Sequence, residues 1–190
     1  MYVPLMLTSV LGVAVFLWAN EVYPGFWTAL RHSAFNVVSV ATTTGYATVD
    51  YAQWPIFAPV LMLFLCSFAT CAGSTGGGIK LIRSLLLLKQ ARRELTRIVH
   101  PRAVVPVTLG GGVVPNQVLM SVLAFMLFYG SSMVIVSMLL MFSGLDLVSA
   151  ATATIACINN TGPGLGQVGP SGNYQGLNDF QTWVCTFAML

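Results

Sequence analysis

A chain of 190 residues that is 56% hydrophobic and only 7% charged, with a mean hydropathy of +0.82, is not built like a soluble domain, which carries about 25% charged residues. It reads as an integral membrane protein. The net charge is only +3, yet seven of the eight Lys and Arg fall between Lys80 and Arg102, which places that stretch on the cytoplasmic side. A nucleic-acid patch is the rival reading of such a cluster, disfavoured because both flanks are apolar enough for a membrane.

Residues 3–19 carry no charge, and their 17 residues are the short end of what crosses a bilayer core. They lack a basic start and a small-residue cleavage site, so no secretory leader is read. Asn20, Glu21, Pro24 and Gly25 break the span, and Trp18, Tyr23 and Trp27 suit an interfacial aromatic belt. Residues 26–41 mix Phe26, Leu30, Phe35, Val37, Val38 and Val40 with Arg31, His32 and Asn36. The segment is too short and too polar for a lipid-facing span and predicts a re-entrant pore helix. His32 reads as an interfacial histidine with no ligand role.

The next stretch is Ala41-Thr-Thr-Thr-Gly45-Tyr-Ala47, followed by an outer turn from Asp50 to Pro55 and a second span from Ile56 to Ala72. Gly73, Ser74, Thr75, Gly76, Gly77 and Gly78 interrupt that span. Each glycine costs a helix interior about 1 kcal/mol relative to alanine. Irregular backbone at membrane depth is tolerated only where it lines a wet cavity or is covered by protein. An amphipathic helix over 79–99 leaves on the basic side, and His100-Pro-Arg102 ends it. A connection over 103–114, with Gly110-Gly-Gly112, predicts a β-turn or hairpin, given Val104, Val105 and Val107 flanking Pro106. Residues 118–142 are 25 uncharged residues, a clear span with a small-residue patch at Gly130-Ser-Ser132. Asp146 is placed as the N-cap of a second short helix over 147–158. Asn159–Gly164, a glycine-rich loop and the start of a last apolar helix at 177–190 follow. Cys66, Cys71, Cys157 and Cys185 form no CxxC and read as small buried hydrophobes.

A shift of 117 residues lays Ser33–Ala41 on Ala150–Ile158 and Thr44-Gly45 on Thr161-Gly162. The repeated unit is span, re-entrant helix, loop, span. The fold class is therefore all-α integral membrane, with repeated helix–pore helix–filter loop–helix units of the potassium-channel-like type. A short helix ending inside the membrane turns its negative end toward a cation. Beyond it, a loop containing glycine can aim successive carbonyls one way and replace the hydration shell of potassium. The predicted ion-binding groups are the carbonyls of Thr43, Thr44, Gly45, Asn160, Thr161 and Gly162. Two loops supply only two of about four walls, so the others must come from an absent N-terminal half or another chain. The rival is a re-entrant loop used only for packing.

At these residues the chain resembles the C-terminal half of the bacterial Trk-type potassium-uptake subunits of the Trk/Ktr/HKT superfamily. The likeness is carried by Ala41-Thr-Thr-Thr-Gly-Tyr46, Cys71-Ala-Gly-Ser-Thr-Gly-Gly-Gly-Ile-Lys80, His100-Pro-Arg-Ala103 and Asn159-Asn-Thr-Gly-Pro-Gly-Leu-Gly166. It implies a third pore unit over 1–100 (span 3–19, pore helix 26–41, filter 42–47, broken span 56–99), a cytoplasmic connection over 101–117, and a fourth unit over 118–190. That fourth unit has a span at 118–142, a pore helix at 146–158, a filter at 159–164 and the start of its last span at 177–190. The resemblance also implies a gate at Gly73–Gly78 beneath the filter, a homodimer, and a ring of TrkA-like nucleotide-binding regulatory subunits on the basic face from Lys89 to Arg102. The family's basic residue in the last helix has no counterpart before Leu190.

The implied function is potassium uptake across the bacterial inner membrane, with potassium as substrate, no covalent cofactor and no nucleic acid. The alternative is a non-conducting fragment or assembly module. An enzyme reading would start from Gly73–Lys80 as a phosphate loop, but Gly-Ile-Lys stands where Gly-Lys-Ser/Thr is needed. The five acids are scattered and neither histidine has a partner at metal spacing, so no catalysis is expected.

Overall fold

The computed structural model describes residues 2–68, 70–71, 73 and 76–190. Helix α1 (Tyr2–Ala19) is 18 residues long, about 27 Å at 1.5 Å per residue, close to the thickness of a bilayer core. One of its faces, Val3, Leu7, Leu11 and Val15, is apolar and exposed, whereas Met6, Val10, Val13, Ala14 and Leu17 are buried. An apolar stripe left open on an otherwise packed helix is what lipid contact requires. Helix α2 (Phe26–Ala41) lies against α1, fixed where the Ser33 hydroxyl donates to the Val10 carbonyl at 2.8 Å. In its N-terminal half His32 stacks on Tyr23 with ring centroids 5.0 Å apart.

Helix α3 (Phe57–Phe68) stops four residues short of the expected span end at Ala72. The reason is backbone chemistry rather than hydropathy. The Ser67 carbonyl accepts from Ile79 N at 2.8 Å, and the Thr70 carbonyl accepts from Leu81 N at 2.9 Å. The chain is thus pinched shut at the base of the glycine-rich loop before α4 (Leu81–Val99) begins. In α4 only Leu86 is fully buried, and Leu88, Leu95, Ile98 and Val99 stand exposed beside the basic residues. Arg83 lies 4.2 Å above the Phe125 ring, and Arg93 donates to Asn116 Oδ1 at 3.1 Å.

The connection folds later than its valines imply. Strands β1 (Thr108–Leu109) and β2 (Gly112–Val113) pair antiparallel around Gly110 and Gly111, whose φ angles are +59° and +88°. That double positive φ makes the tight two-residue turn. Pro106, which cannot donate to a ladder, stays outside the strands, and Lys89 reaches back to the Thr108 carbonyl.

Helix α5 (Asn116–Phe142) is 27 residues, about 40 Å. It is apolar all round, with Leu127, Phe128, Val134, Ile135 and Met138 open. Helices α6 (Leu147–Ile158) and α7 (Asp179–Ala188) pack on it. Cys66, Cys157 and Cys185 are buried, but Cys71 is exposed, against the expectation of a buried residue.

Asp146 caps α6, its carboxylate accepting from Ser149 N at 3.0 Å. Hydrogen bonds from Ser149, the backbone N–H foremost, hold the carboxyl below the usual carboxylate range. A depressed folded pKa contributes stability that is present above the ordinary value and is lost as pH falls through the folded one. Replacing this exposed cap with alanine costs about 0.5–1 kcal/mol. In Asp146→Ala, thermal melting in detergent is lower at neutral pH, and the gap to the parent narrows below about pH 4. A gap that does not change with pH would show that the carboxylate charge contributes nothing.

Candidate functional site

The two loops that follow α2 and α6 share one backbone path. Thr42 and Asn159 cap their helices, accepting no turn beyond, with N–H bonds to Val38 O at 2.9 Å and Ile155 O at 3.1 Å. The next residues, Thr43 and Asn160, take positive φ of +58° and +53°, which reverses the chain. Thr44 N then bonds back to Ser39 O at 2.8 Å, and Thr161 N to Ala156 O at 2.9 Å. Gly45 and Gly162 follow with φ of +83° and +100°, the left-handed region where glycine is at ease. Every one of these pairs is 117 positions apart. Non-glycine residues with positive φ are uncommon, so their recurrence at Thr43 and Asn160 marks a repeated device and not a chance turn.

Each loop is braced to its own helix one turn further on. Asn36 Oδ1 accepts from Thr48 N at 3.2 Å, and Asn36 Nδ2 donates to Thr48 Oγ1 at 2.9 Å. In the second unit Thr152 Oγ1 accepts from Leu165 N at 2.9 Å. The braces tie the far end of each loop back to its helix. Among the described residues, no N–H or hydroxyl claims the carbonyls of Thr43, Thr44, Gly45, Asn160 and Thr161. The Gly162 carbonyl differs, since the Tyr174 hydroxyl donates to it at 2.7 Å. Burial pushes the Tyr174 hydroxyl well above its ordinary pKa, so it keeps its proton and remains a donor. The Tyr46 carbonyl is turned back onto the Ser39 hydroxyl at 2.6 Å, which ends the first row.

The structure brings the two loops side by side. A Cβ at Gly45 would run into the Thr161 carbonyl, and the Thr161 hydroxyl meets Cys66 Sγ at 2.7 Å. Beneath them lies the glycine-rich loop. Gly77 and Gly78, the latter with φ +77°, press against Asn159, and Lys80 Nζ donates to the Gly76 carbonyl at 2.9 Å. Gly73 is exposed. Ser74 and Thr75, also assigned to this loop, lie outside the described residues. No group of three or more His, Cys, Asp or Glu side chains that could hold a metal occurs among the described residues.

The model of the TrkH family, described as a cation transport protein, matches residues 22–190. The chain belongs to the TrkH family of cation transport proteins. The Trk system potassium uptake protein TrkH of Salmonella typhimurium is 40% identical over 190 residues, which is all of this chain and 39% of that protein. The TrkG protein of Escherichia coli is 38% identical over 159 residues, covering 84% of this chain and 32% of its own length. The crystal structure of the potassium transporter TrkH from Vibrio parahaemolyticus overlays with a TM-score of 0.91 at 39% identity, over 99% of this chain and 40% of that one. The chain thus spans between about a third and two fifths of the length of these relatives. The all-α membrane fold of pore-helix units is shared with TrkH, and the family is one of transporters rather than enzymes.

Sequence reasoning did not reach four residues that complete this site. Cys66, Ser67, Tyr129 and Tyr174 all touch the second loop or its cap. Each is separated from it by a long stretch of chain or by an irregular loop, and no periodicity points to them.

Proposed function

We propose that this chain supplies two walls of a potassium-selective filter and the glycine-rich loop beneath it, in a transporter of the bacterial inner membrane. The observation that carries the reading is the pair of matching loops whose carbonyls no protein donor claims. In a bilayer an unsatisfied carbonyl costs several kcal/mol, a cost that a dehydrated cation or pore water offsets. The carbonyls of Thr43, Thr44, Gly45, Asn160 and Thr161 coordinate the ion. Gly162 adds a carbonyl that Tyr174 holds in place through one lone pair while the other stays open. The ends of α2 and α6 add their negative dipole ends below.

Two further walls complete the ring. They dock on the open flank of α2, where Arg31, Phe35, Val38, Thr42, Thr44 and Tyr46 line a groove of about 910 Å³. The segment Lys80–Arg102 is cytoplasmic. Its exposed mixture of Leu88, Leu95, Ile98 and Val99 with Arg92 and Arg97 suits the nucleotide-binding regulatory subunits of a Trk system and a second copy of the transporter.

The test is rubidium uptake in potassium-starved cells carrying this chain with and without the remainder of a full-length transporter. Uptake only in the complete protein supports the half-pore reading. No uptake in either, with normal membrane insertion, supports a non-conducting assembly module. Topology gives a separate check. In a background lacking Cys71, a membrane-impermeant maleimide labels Ala52→Cys on intact cells, and labels Thr96→Cys only after permeabilisation. The reverse pattern would overturn the orientation of both filter loops.

A further inference from the structure

The glycine-rich loop and the second filter loop are far apart in the chain, yet they meet at one side chain. Asn159 is fully buried at the end of α6. Both groups of its amide are bonded. Nδ2 donates to the Ile155 carbonyl at 2.8 Å and to Ser67 Oγ at 3.3 Å, and Oδ1 accepts from the Tyr129 hydroxyl at 2.9 Å. Ser67 closes α3 and Tyr129 sits midway along α5, so one amide ties three helices together.

The glycine-rich loop closes over the same residue. A Cβ at Gly77 would lie 2.6 Å from the Asn159 carbonyl carbon and 2.7 Å from its Cα. A Cβ at Gly78 would lie 2.5 Å from Asn159 Oδ1 and 3.0 Å from the Ser67 carbonyl. No side chain fits between, so the loop's backbone forms the wall of the amide's pocket. Asn159 directly precedes Asn160, whose φ of +53° starts the loop. A small rotation at the cap therefore swings the Asn160 and Thr161 carbonyls together.

We propose that Asn159 is the positioning residue through which the glycine-rich loop sets the second filter loop, so that displacing the glycine-rich loop changes ion selection as well as flux. The proposal rests on the filter and loop assignments above. With Gly77 and Gly78 in place, water is kept from the amide and its three bonds hold one orientation. With them displaced, water competes for Ser67 and Tyr129, and a partly satisfied buried network loses its single geometry. The Asn159 side chain does not touch the ion. It acts through the two carbonyls that follow it.

The test measures the rubidium-to-sodium permeability ratio of the full-length transporter in proteoliposomes. Asn159→Leu keeps the branched shape, with a larger volume, and removes the polar bonds. Gly77→Ala drives the loop off the Asn159 backbone. Each lowers the ratio about tenfold, and the double variant falls no further than the lower single, because both act through one residue. A ratio unchanged in Asn159→Leu, or effects that multiply in the double variant, would overturn the proposal. Tyr129→Phe removes one bond to the same amide with little change of shape and serves where Asn159→Leu does not assemble. It lowers the ratio about threefold, again with no further loss on adding Gly77→Ala, and an unchanged ratio counts against the proposal equally. Gly45→Ala separates the two levels of the argument. If it too leaves the ratio unchanged, the filter assignment falls and this proposal with it. If it lowers the ratio while the Asn159 and Tyr129 variants do not, only the positioning role falls.

Discussion

Gly45→Ala in the full-length transporter reduces the preference for potassium over sodium by about tenfold or more, read as competing rubidium and sodium fluxes. Two costs act together. The φ of +83° at Gly45 is one an L-residue adopts at about 1–2 kcal/mol. The added methyl would also occupy the place of the Thr161 carbonyl. Relief requires either Gly45 to rotate, turning its own carbonyl, or Thr161 to withdraw, turning that of the neighbouring wall. Both responses spoil the spacing of oxygens that matches a dehydrated potassium ion, and sodium gains relative to potassium. Gly162→Ala is the internal comparison. Its φ of +100° is equally unsuited to alanine, but nothing lies within 4 Å of the new Cβ, so strain acts without collision and the loss is smaller. Gly12→Ala, on the open face of α1 with nothing within 4 Å, leaves the ratio alone. Equal ratios in the parent and Gly45→Ala, at equal expression, would remove the first loop from the filter.

Much of this site was legible because the physics that builds it is local. A short, half-polar helix after a longer apolar one is legible as an element apart from the spans, and α2 ends at Ala41 as expected. Thr-Gly after each such helix announces a chain reversal that needs positive φ. Asp146 as a cap is likewise a neighbour effect, settled by Ser149 three residues on. What stayed hidden depends on tertiary contact. Hydropathy runs on past Phe68, but the end of α3 is decided by Ile79 and Leu81 bonding back across the glycine-rich loop. Tyr174 looks like one more aromatic in a polar outer loop until that loop folds back and sets its hydroxyl on Gly162. Asn159 looks like half of an Asn-Asn pair. Only the fold shows that Asn159 is sealed against Ser67, Tyr129 and two glycines, whereas Asn160 is exposed. The hairpin falls inside the expected 103–114 connection, centred on the Gly110-Gly111 turn rather than on the valines flanking Pro106, because a two-residue turn with both φ positive has the stronger geometric demand.

Deleting Gly76–Gly78 raises basal rubidium flux about tenfold or more, since a barrier of only about 1.4 kcal/mol is worth a factor of ten. The loop's position makes the sign definite. Gly77 lies flat against the Asn159 carbonyl, so on the proposed filter reading an ion passing the second row of oxygens meets loop backbone. The pinch formed by Ser67 with Ile79 and Thr70 with Leu81 is outside the deleted residues. About 10 Å of reach is lost with the three glycines. The shortened loop therefore closes at its base without extending beneath Asn159. The deletion also removes the Gly76 carbonyl that accepts from Lys80, one of the contacts between the loop and the residue preceding α4. With no loop left beneath the proposed filter to be moved, flux in the deletion variant is insensitive to whatever docks on α4, while the parent responds. Two readings of the same experiment are thereby separated. A loop that occludes gives high flux that no cytoplasmic partner modulates. A loop that merely fills space gives unchanged flux at normal expression, and the assignment of Gly73–Gly78 as a gate is then abandoned while the filter loops above it stand.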